Sequence, residues 1–208
     1  MKIIKAGKEG IELAVKYLHA GKSVVYPTDT AYGLGVDVTN PKAVRNLYKT
    51  KKRDKGKPIH IVVSSLAMAK KYARFNSTEQ KLFKKFLPGP LTLVLELRIV
   101  NLESLNILSA RTGTIGIRMP KNQVALQIVK QLKKPITATS ANLSTAKTTY
   151  AVDKIVKQFR NKKERPNLFL DAGTLPKRKT STIVKIENGK AEILRQGPIT
   201  RKQIIKIK

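Results

Sequence analysis

The sequence predicts a mixed α/β domain of the α+β kind: a twisted sheet of parallel and antiparallel strands, flanked by helices. Three observations carry that expectation. Short apolar runs at 24–26, 59–63 and 136–139 have strand length and are bounded by prolines or polar turns. Stretches between the strands repeat apolar residues at helical spacing. The chain closes on two further runs, 181–186 and 191–194, joined at Asn188-Gly189, which is the signature of a β-hairpin. No linker long enough to divide the 208 residues is visible, so 1–208 reads as one domain.

Taken in order, residues 7–20 form the first expected helix, with Ile11, Val15 and Leu18 on one face and Gly21 as its stop. Strand 24–26 leads into residues 27–35, PTDTAYGLG. Two threonines and an aspartate there supply hydroxyl and carboxylate groups. Two glycines two residues apart allow a sharp turn or a close approach to a ligand. A strand ending in a polar, glycine-bearing turn is where mixed α/β folds place small-molecule sites. Asn40-Pro41 starts a helix carrying Val44, Leu47 and Tyr48, followed by a basic loop over 49–57 and the strand over 59–63. Ser65 caps a helix reaching Tyr72, and Ser77-Thr78-Glu79-Gln80 reads as a capping box for a helix with Leu82, Phe83 and Phe86. Pro88-Gly89-Pro90 stops that helix. Residues 91–97 then read as a strand, 102–109 as irregular and 114–118 as a strand. A helix over 124–132 buries Val124, Ile128 and Leu132; strand 136–139 ends in the turn Ser140-Ala141-Asn142. A polar loop, a helix over 151–159, a charged linker over 160–166 and a short strand over 168–171 precede the hairpin.

An apolar fraction of 41% is ordinary for a globular protein. The absence of cysteine excludes disulfides, thiolate nucleophiles and thiolate metal sites together. The two histidines, His19 and His60, have no metal-ligand spacing. The first ten residues lack the apolar core of a secretion signal, and no run approaches the roughly 18 apolar residues of a membrane span. A cytoplasmic protein is expected. The unusual number is the charge: 43 Lys and Arg against 13 Asp and Glu, or +30. Such a field favours nucleotides, polyphosphates or nucleic acid. Since 32 of the 43 are lysines spread along the chain, part of it is ordinary solvated surface.

No Ser-His-Asp grouping, histidine cluster or carboxylate pair is visible. The chain offers cations and hydroxyls at turns instead. Segment 49–57 combines lysines as mobile point charges with Arg53, whose planar fork can grip two phosphate oxygens. Thr139-Ser140-Ala141-Asn142 places hydroxyls, an amide and backbone N–H groups at a strand end, where they can bind an anion or merely close a turn. Arg118 ends an alternating strand and Arg195 closes the hairpin; each can hold an anion or form a surface ion pair. This inventory suits a reaction run by positioning and positive charge on an anionic substrate, without a covalent nucleophile.

Eight short blocks then occur in a telling order: PTDTAYGLG (27–35), KKR (51–53), PGPLT (88–92), TIGIR (114–118), SAN (140–142), LDAG (170–173), STI (181–183) and LRQG (194–197). Together they resemble the YrdC-like threonylcarbamoyl-AMP synthases in their single-domain form, without the additional C-terminal domain of longer members. The resemblance implies a YrdC-like fold around a concave basic cavity. It also implies an activity: joining L-threonine, bicarbonate or CO2, and ATP into threonylcarbamoyl-AMP with release of pyrophosphate. That nucleotidyl transfer is the first step of threonylcarbamoyladenosine modification of tRNA, and the product feeds a downstream threonylcarbamoyl transferase complex.

Carried over by position, the resemblance implies that Thr30, Arg118 and Ser181 hold threonine; selecting threonine over serine would need a small apolar niche for the methyl group, which Ala31, Leu34 or Ala138 could line. Lys51 and Arg53 would be the catalytic cations on the ATP phosphates. Lys57, Thr114, Ser140, Asn142, Thr148 and Arg195 would complete the ATP site. Magnesium would accompany ATP, held by phosphates and water with no metal site in the protein. The sequence departs from the family pattern at three places. Asp54 stands where proline is common, Leu143-Ser144-Thr145 follows SAN where Ser-Gly is usual, and His60 precedes by two residues the position where many relatives carry a histidine. His60 is therefore read as a satisfied or surface histidine without a catalytic role. The competing function class is an RNA-binding module of tRNA or ribosome maturation that uses the same basic cavity. The separate set of hydroxyls and cations favours the enzyme.

Overall fold

The computed structural model describes residues 1–99 and 102–207. In chain order the elements are β1 (Lys2–Lys5), α1 (Lys8–His19), β2 (Val24–Tyr26), β3 (Gly33–Gly35), α2 (Pro41–Lys51), β4 (His60–Val62), α3 (Leu66–Tyr72), α4 (Ser77–Phe86) and β5 (Leu91–Glu96). They continue with α5 (Glu103–Leu108), β6 (Thr114–Arg118), α6 (Gln123–Leu132), β7 (Ile136–Ser140), α7 (Val152–Phe159), β8 (Leu168–Asp171), β9 (Thr182–Glu187), β10 (Lys190–Arg195) and α8 (Arg201–Ile205). The ten strands form one sheet in the order β1-β8-β2-β3-β7-β4-β6-β5-β9-β10. Parallel pairs (β1/β8, β2/β8, β4/β6, β5/β9) mix with antiparallel ones (β2/β3, β3/β7, β4/β7, β5/β6, β9/β10).

Alternation along the strands feeds two apolar clusters. On β2, Val25 joins one cluster while Val24 and Tyr26 join the other; on β4, Ile61 and Val62 divide the same way. The smaller cluster is closed by α1 (Ile11, Ala14, Leu18) and α6 (Ala125, Ile128, Val129, Leu132), whose apolar stripes repeat at helical spacing. The larger receives side chains of α2, α4, α5 and α7, among them Leu47, Leu82, Leu105 and Phe159. Strands covered on both sides read as apolar runs, which is why 24–26 and 59–63 stood out in the sequence. The closing hairpin is present: Asn188 and Gly189 have φ of 50° and 73°, the left-handed pair a two-residue hairpin turn requires.

Five local expectations are corrected. Residues 33–35 form a strand, and the polar turn ends at Tyr32; the two glycines of the motif make room for a side chain. A Cβ at Gly33 would stand 2.8 Å from Tyr26 Cζ, and one at Gly35 2.9 Å from Tyr26 Cε1, so the Tyr26 ring lies flat across both. The stretch 102–109 contains helix α5, held because Leu105 and Leu108 are buried one turn apart. The capping box of α4 lies one residue earlier than expected: Asn76 Oδ1 accepts from Glu79 N, and Glu79 Oε2 accepts from Asn76 N. The basic loop begins late, since α2 runs through Lys51 and stops at Lys52, whose φ is 48°. Finally, β1 and α8 lie where no element was expected. Strand β1 is an edge strand with mostly exposed residues, and α8 is a single short turn held by a Thr200–Gln203 capping box.

Candidate active site

The site lies over the middle of the sheet. Period-two alternation and the strand register place Gly33 (β3), Ala138 and Ser140 (β7), His60 (β4), and Gly116 and Arg118 (β6) on one face, beside the ring of Tyr26. Above them is a cavity of about 390 Å³ whose lining includes Thr28, Thr30, Tyr32, Arg53, His60, Arg118, Ala138, Ser140, Thr148, Ser181 and Arg195.

The turn after β2 is fixed by one hydroxyl. Thr28 Oγ1 accepts from Thr30 N (3.1 Å) and Ala31 N (3.2 Å) and donates to Ala31 O (2.6 Å). That arrangement presents Thr30 to the cavity and turns Asp29 toward Arg118. The Arg118 Nη2 donates to Asp29 Oδ1 at 2.9 Å, and the two side chains are 13% and 6% exposed. Tyr32 Oη donates to Gly173 O and accepts from Ala172 N, tying the turn to the segment after β8. Gly173 carries a φ of 75°, which suits glycine at that contact.

Opposite this turn, Arg53 is aimed by its own loop: Nε donates to Lys57 O and Nη2 to Pro58 O. From the far end of the sheet, Arg195 donates from Nε and Nη2 to Ser181 O (3.1 and 2.8 Å) and from Nη2 to Ser181 Oγ (3.1 Å). Burial and the nearby Arg118 push the Arg195 guanidinium below its usual range. Three guanidiniums thus converge on one cavity, and among the described residues no carboxylate lines it. That concentration of positive charge suits an anionic ligand.

The expected residues therefore divide. Thr30, Arg53, Arg118, Ala138, Ser140, Thr148, Ser181 and Arg195 are brought together around the cavity; Lys51, Lys57, Thr114 and Asn142 do not line it. Lys51 is 1% exposed, and its Nζ donates to Ser140 O (2.5 Å) and Asn142 O (2.6 Å), so it lies behind the turn and braces it. Burial and the neighbouring Arg53 push its pKa down to about 7. Asn142 completes the brace: its Oδ1 accepts from Ser140 Oγ, and its Nδ2 donates to Leu143 O and Ala146 O. Lys57 is exposed on the loop. Thr114 shares the cavity's face of β6 but sits at the other end of the strand, about 13 Å from Arg118 at ~3.3 Å per residue.

His60 is not a surface histidine. It lines the cavity with its ring against the backbone of β6, where a Cβ at Gly116 would meet His60 Cδ2 at 2.4 Å. Burial, then Arg195, Arg118 and Arg53, push its pKa down to about 3, so the imidazole is neutral around pH 7. Thr28, Tyr32 and Thr180 also line the cavity without having been singled out one by one. The position of Thr28 inside the opening motif was the available signal.

With this geometry in place, the relatives are informative. The family model Sua5_yciO_yrdC, described as telomere recombination, matches residues 16–197. A Methanocaldococcus jannaschii protein, provisionally named for threonylcarbamoyl-AMP synthesis, is 36% identical over 193 residues, covering 92% of this chain and 87% of its own. The human threonylcarbamoyl-AMP synthase is 34% identical over 197 residues, covering 91% and 67%. The crystal structure of Pyrococcus abyssi Sua5 complexed with L-threonine superposes with a TM-score of 0.87 at 27% identity, over 99% of this chain and 60% of that one. The match of the family model across nearly the whole sheet, together with these relatives, shows that the chain belongs to the Sua5/YciO/YrdC family.

Proposed function

We propose that this protein makes L-threonylcarbamoyladenylate from L-threonine, bicarbonate-derived CO2 and ATP, releasing pyrophosphate. It would act in the cytoplasm as the nucleotidyltransferase that opens threonylcarbamoyladenosine modification of tRNA and would hand its product to a threonylcarbamoyl transferase complex. No described helix is long and apolar enough to cross a membrane. The observation that carries the reading is the convergence of Arg53, Arg118 and Arg195 on one hydroxyl-lined cavity.

The chemistry brings anions together. Threonine's nitrogen attacks CO2, and a carbamate oxygen then attacks the α-phosphorus, expelling pyrophosphate. Cations must screen the approach and stabilise the leaving group. In this reading Arg118, held by Asp29, pairs with the threonine carboxylate, and Thr30 and Ser181 flank it. Ala138 borders the methyl group, a contact worth about 1–3 kcal/mol against serine. Arg53 takes the phosphates, Ser140 and Thr148 line their path, and Arg195 closes over the nucleotide. Lys51 and Asn142 contribute by bracing the turn that carries Ser140. Among the described residues no group of three His, Asp or Glu side chains converges, so magnesium would enter on the phosphates, where it neutralises their charge.

The test is pyrophosphate release from ATP with and without L-threonine and bicarbonate, with mass detection of the adenylate. Release that needs both, with the expected adduct, supports the enzyme. No release, alongside tight and salt-sensitive RNA binding, would replace it with the RNA module.

A further inference from the structure

We propose that the imidazole of His60 accepts the proton that the α-ammonium of threonine must lose before its nitrogen can attack CO2. The inference rests on the function proposed above. It begins from an inventory of what lines the cavity. The titratable side chains there are Arg53, Arg118, Arg195, Tyr26, Tyr32 and His60. A guanidinium carries donors and no acceptor, so the arginines are not candidates. Burial pushes both phenols up, Tyr26 Oη donates to Thr137 O, and Tyr32 Oη is engaged by Gly173 and Ala172. The nearest carboxylate in the turn, Asp29, pairs with Arg118 and does not line the cavity. Among the described residues only His60 combines access to the cavity with a free-base form at neutral pH.

Its position suits the task. In the register of β4 and β6, Val62 lies beside Arg118, so His60 is the diagonal neighbour of Arg118 on the same face, with Cα atoms roughly 8 Å apart. An α-amino acid whose carboxylate sits on Arg118 can direct its ammonium along the sheet toward β4. Gly116 is what lets the ring lie there, since any side chain at that position would collide with it.

The surroundings also couple basicity to occupancy. The charged groups facing His60 are Arg53 from the loop after α2, Arg118 from β6 and Arg195 from β10, and all three oppose its protonation; the facing residues of β7 (Ala138, Ser140) carry no charge. Burial, the larger influence on the ring, persists when the cavity is filled; a bound triphosphate and carboxylate offset the share due to the guanidiniums and so move the imidazole back toward its ordinary basicity. The balance is simple. A ring nitrogen of His60 takes one N–H proton, the freed lone pair bonds to the carbon of CO2, and the resulting carbamate nitrogen gives its second proton to water. No redox partner is needed.

The test compares the full-length protein with His60→Gln in adenylate formation across a pH series. The expected result is a kcat lower by roughly a hundredfold near neutral pH, loss of the acidic limb of the rate profile, and changes of less than about threefold in KM for ATP and threonine. A His60→Ala variant should regain part of its rate from imidazole added to the buffer. Unchanged kcat, or a loss confined to KM, overturns the assignment while leaving the proposed function standing; failure of the parent to make the adenylate sinks both. Should the variants not fold, NMR titration of His60 in the parent decides. Its pKa must rise when a nonhydrolysable ATP analogue and threonine are added, and a value that stays put overturns the proposal.

Discussion

Replacing Lys51 by methionine distinguishes a brace from a phosphate ligand. The side chain is buried, and its Nζ donates to two backbone carbonyls, Ser140 O and Asn142 O. A neutral amine still has two N–H donors, so both bonds survive deprotonation. The native pKa is about 7, against about 10.4 in an unfolded chain. Over that interval the unfolded state binds the proton that the native state sheds, so the parent's stability rises with pH. At about 1.36 kcal/mol per unit, the contribution between roughly pH 7.5 and pH 10 is on the order of 3 kcal/mol. Lys51→Met lacks that limb. Its other effect, the buried Asn142 O losing its donor at roughly 1–3 kcal/mol while Ser140 O keeps its bond from Asn142 N, does not vary with pH. The stability gap between parent and variant should therefore widen toward high pH, and the titration of the exposed lysines cancels in the difference. Urea unfolding of both proteins at several pH values measures it. A gap independent of pH, or a variant that unfolds like the parent yet has lost ATP binding, refutes the brace and returns Lys51 to the phosphates.

Three other outcomes follow from the same geometry. Arg53→Ala removes an exposed guanidinium bonded to carbonyls of its own loop, so stability should change by less than about 1 kcal/mol while KM for ATP rises at least tenfold; an unchanged ATP dependence would remove Arg53 from the phosphate site. Arg118→Ala leaves Asp29 buried without its partner and should cost about 3–5 kcal/mol in urea unfolding, besides weakening threonine dependence in steady-state kinetics. Pyrophosphate or ATP should raise the melting temperature, because anions relieve the mutual repulsion of Arg53, Arg118 and Arg195; at about a hundred times Kd the gain is ~2.7 kcal/mol, and no shift with either anion would contradict the charge argument.

Legibility in the sequence followed burial. Helices α1 and α6 announced themselves because each presents an apolar stripe to the other across the smaller cluster. Helix α5 did not, since its six residues hold only Leu105 and Leu108 as a periodic signal. Strand β1 escaped for the opposite reason. Its alternation is absent because it sits at the sheet edge and pairs with β8 alone, taking order from hydrogen bonds that side-chain patterning does not encode. The glycines of 27–35 were legible as special positions, but their partner was not. The ring that occupies the space above them belongs to Tyr26 on the adjacent strand, and only the antiparallel register Tyr26↔Gly33 reveals it.

The site shows the same limit more sharply. Residue type singles out cations and hydroxyls, and of these Thr30, Arg53, Arg118, Ser140, Thr148, Ser181 and Arg195 line one cavity. Type alone could not say which of two neighbouring cations faces the ligand. Lys51 belongs to the last turn of α2 and points into the protein; Arg53 follows the left-handed Lys52 and points out. Two residues of chain and one reversal of φ separate a brace from a cavity-lining group. His60 stands two positions from where the family pattern places a histidine, which in sequence argues against a role for it. A displacement of two along a strand preserves the face, so the imidazole still reaches the cavity. A displacement of one would have put it at position 61, in the opposite cluster, where Ile61 stands.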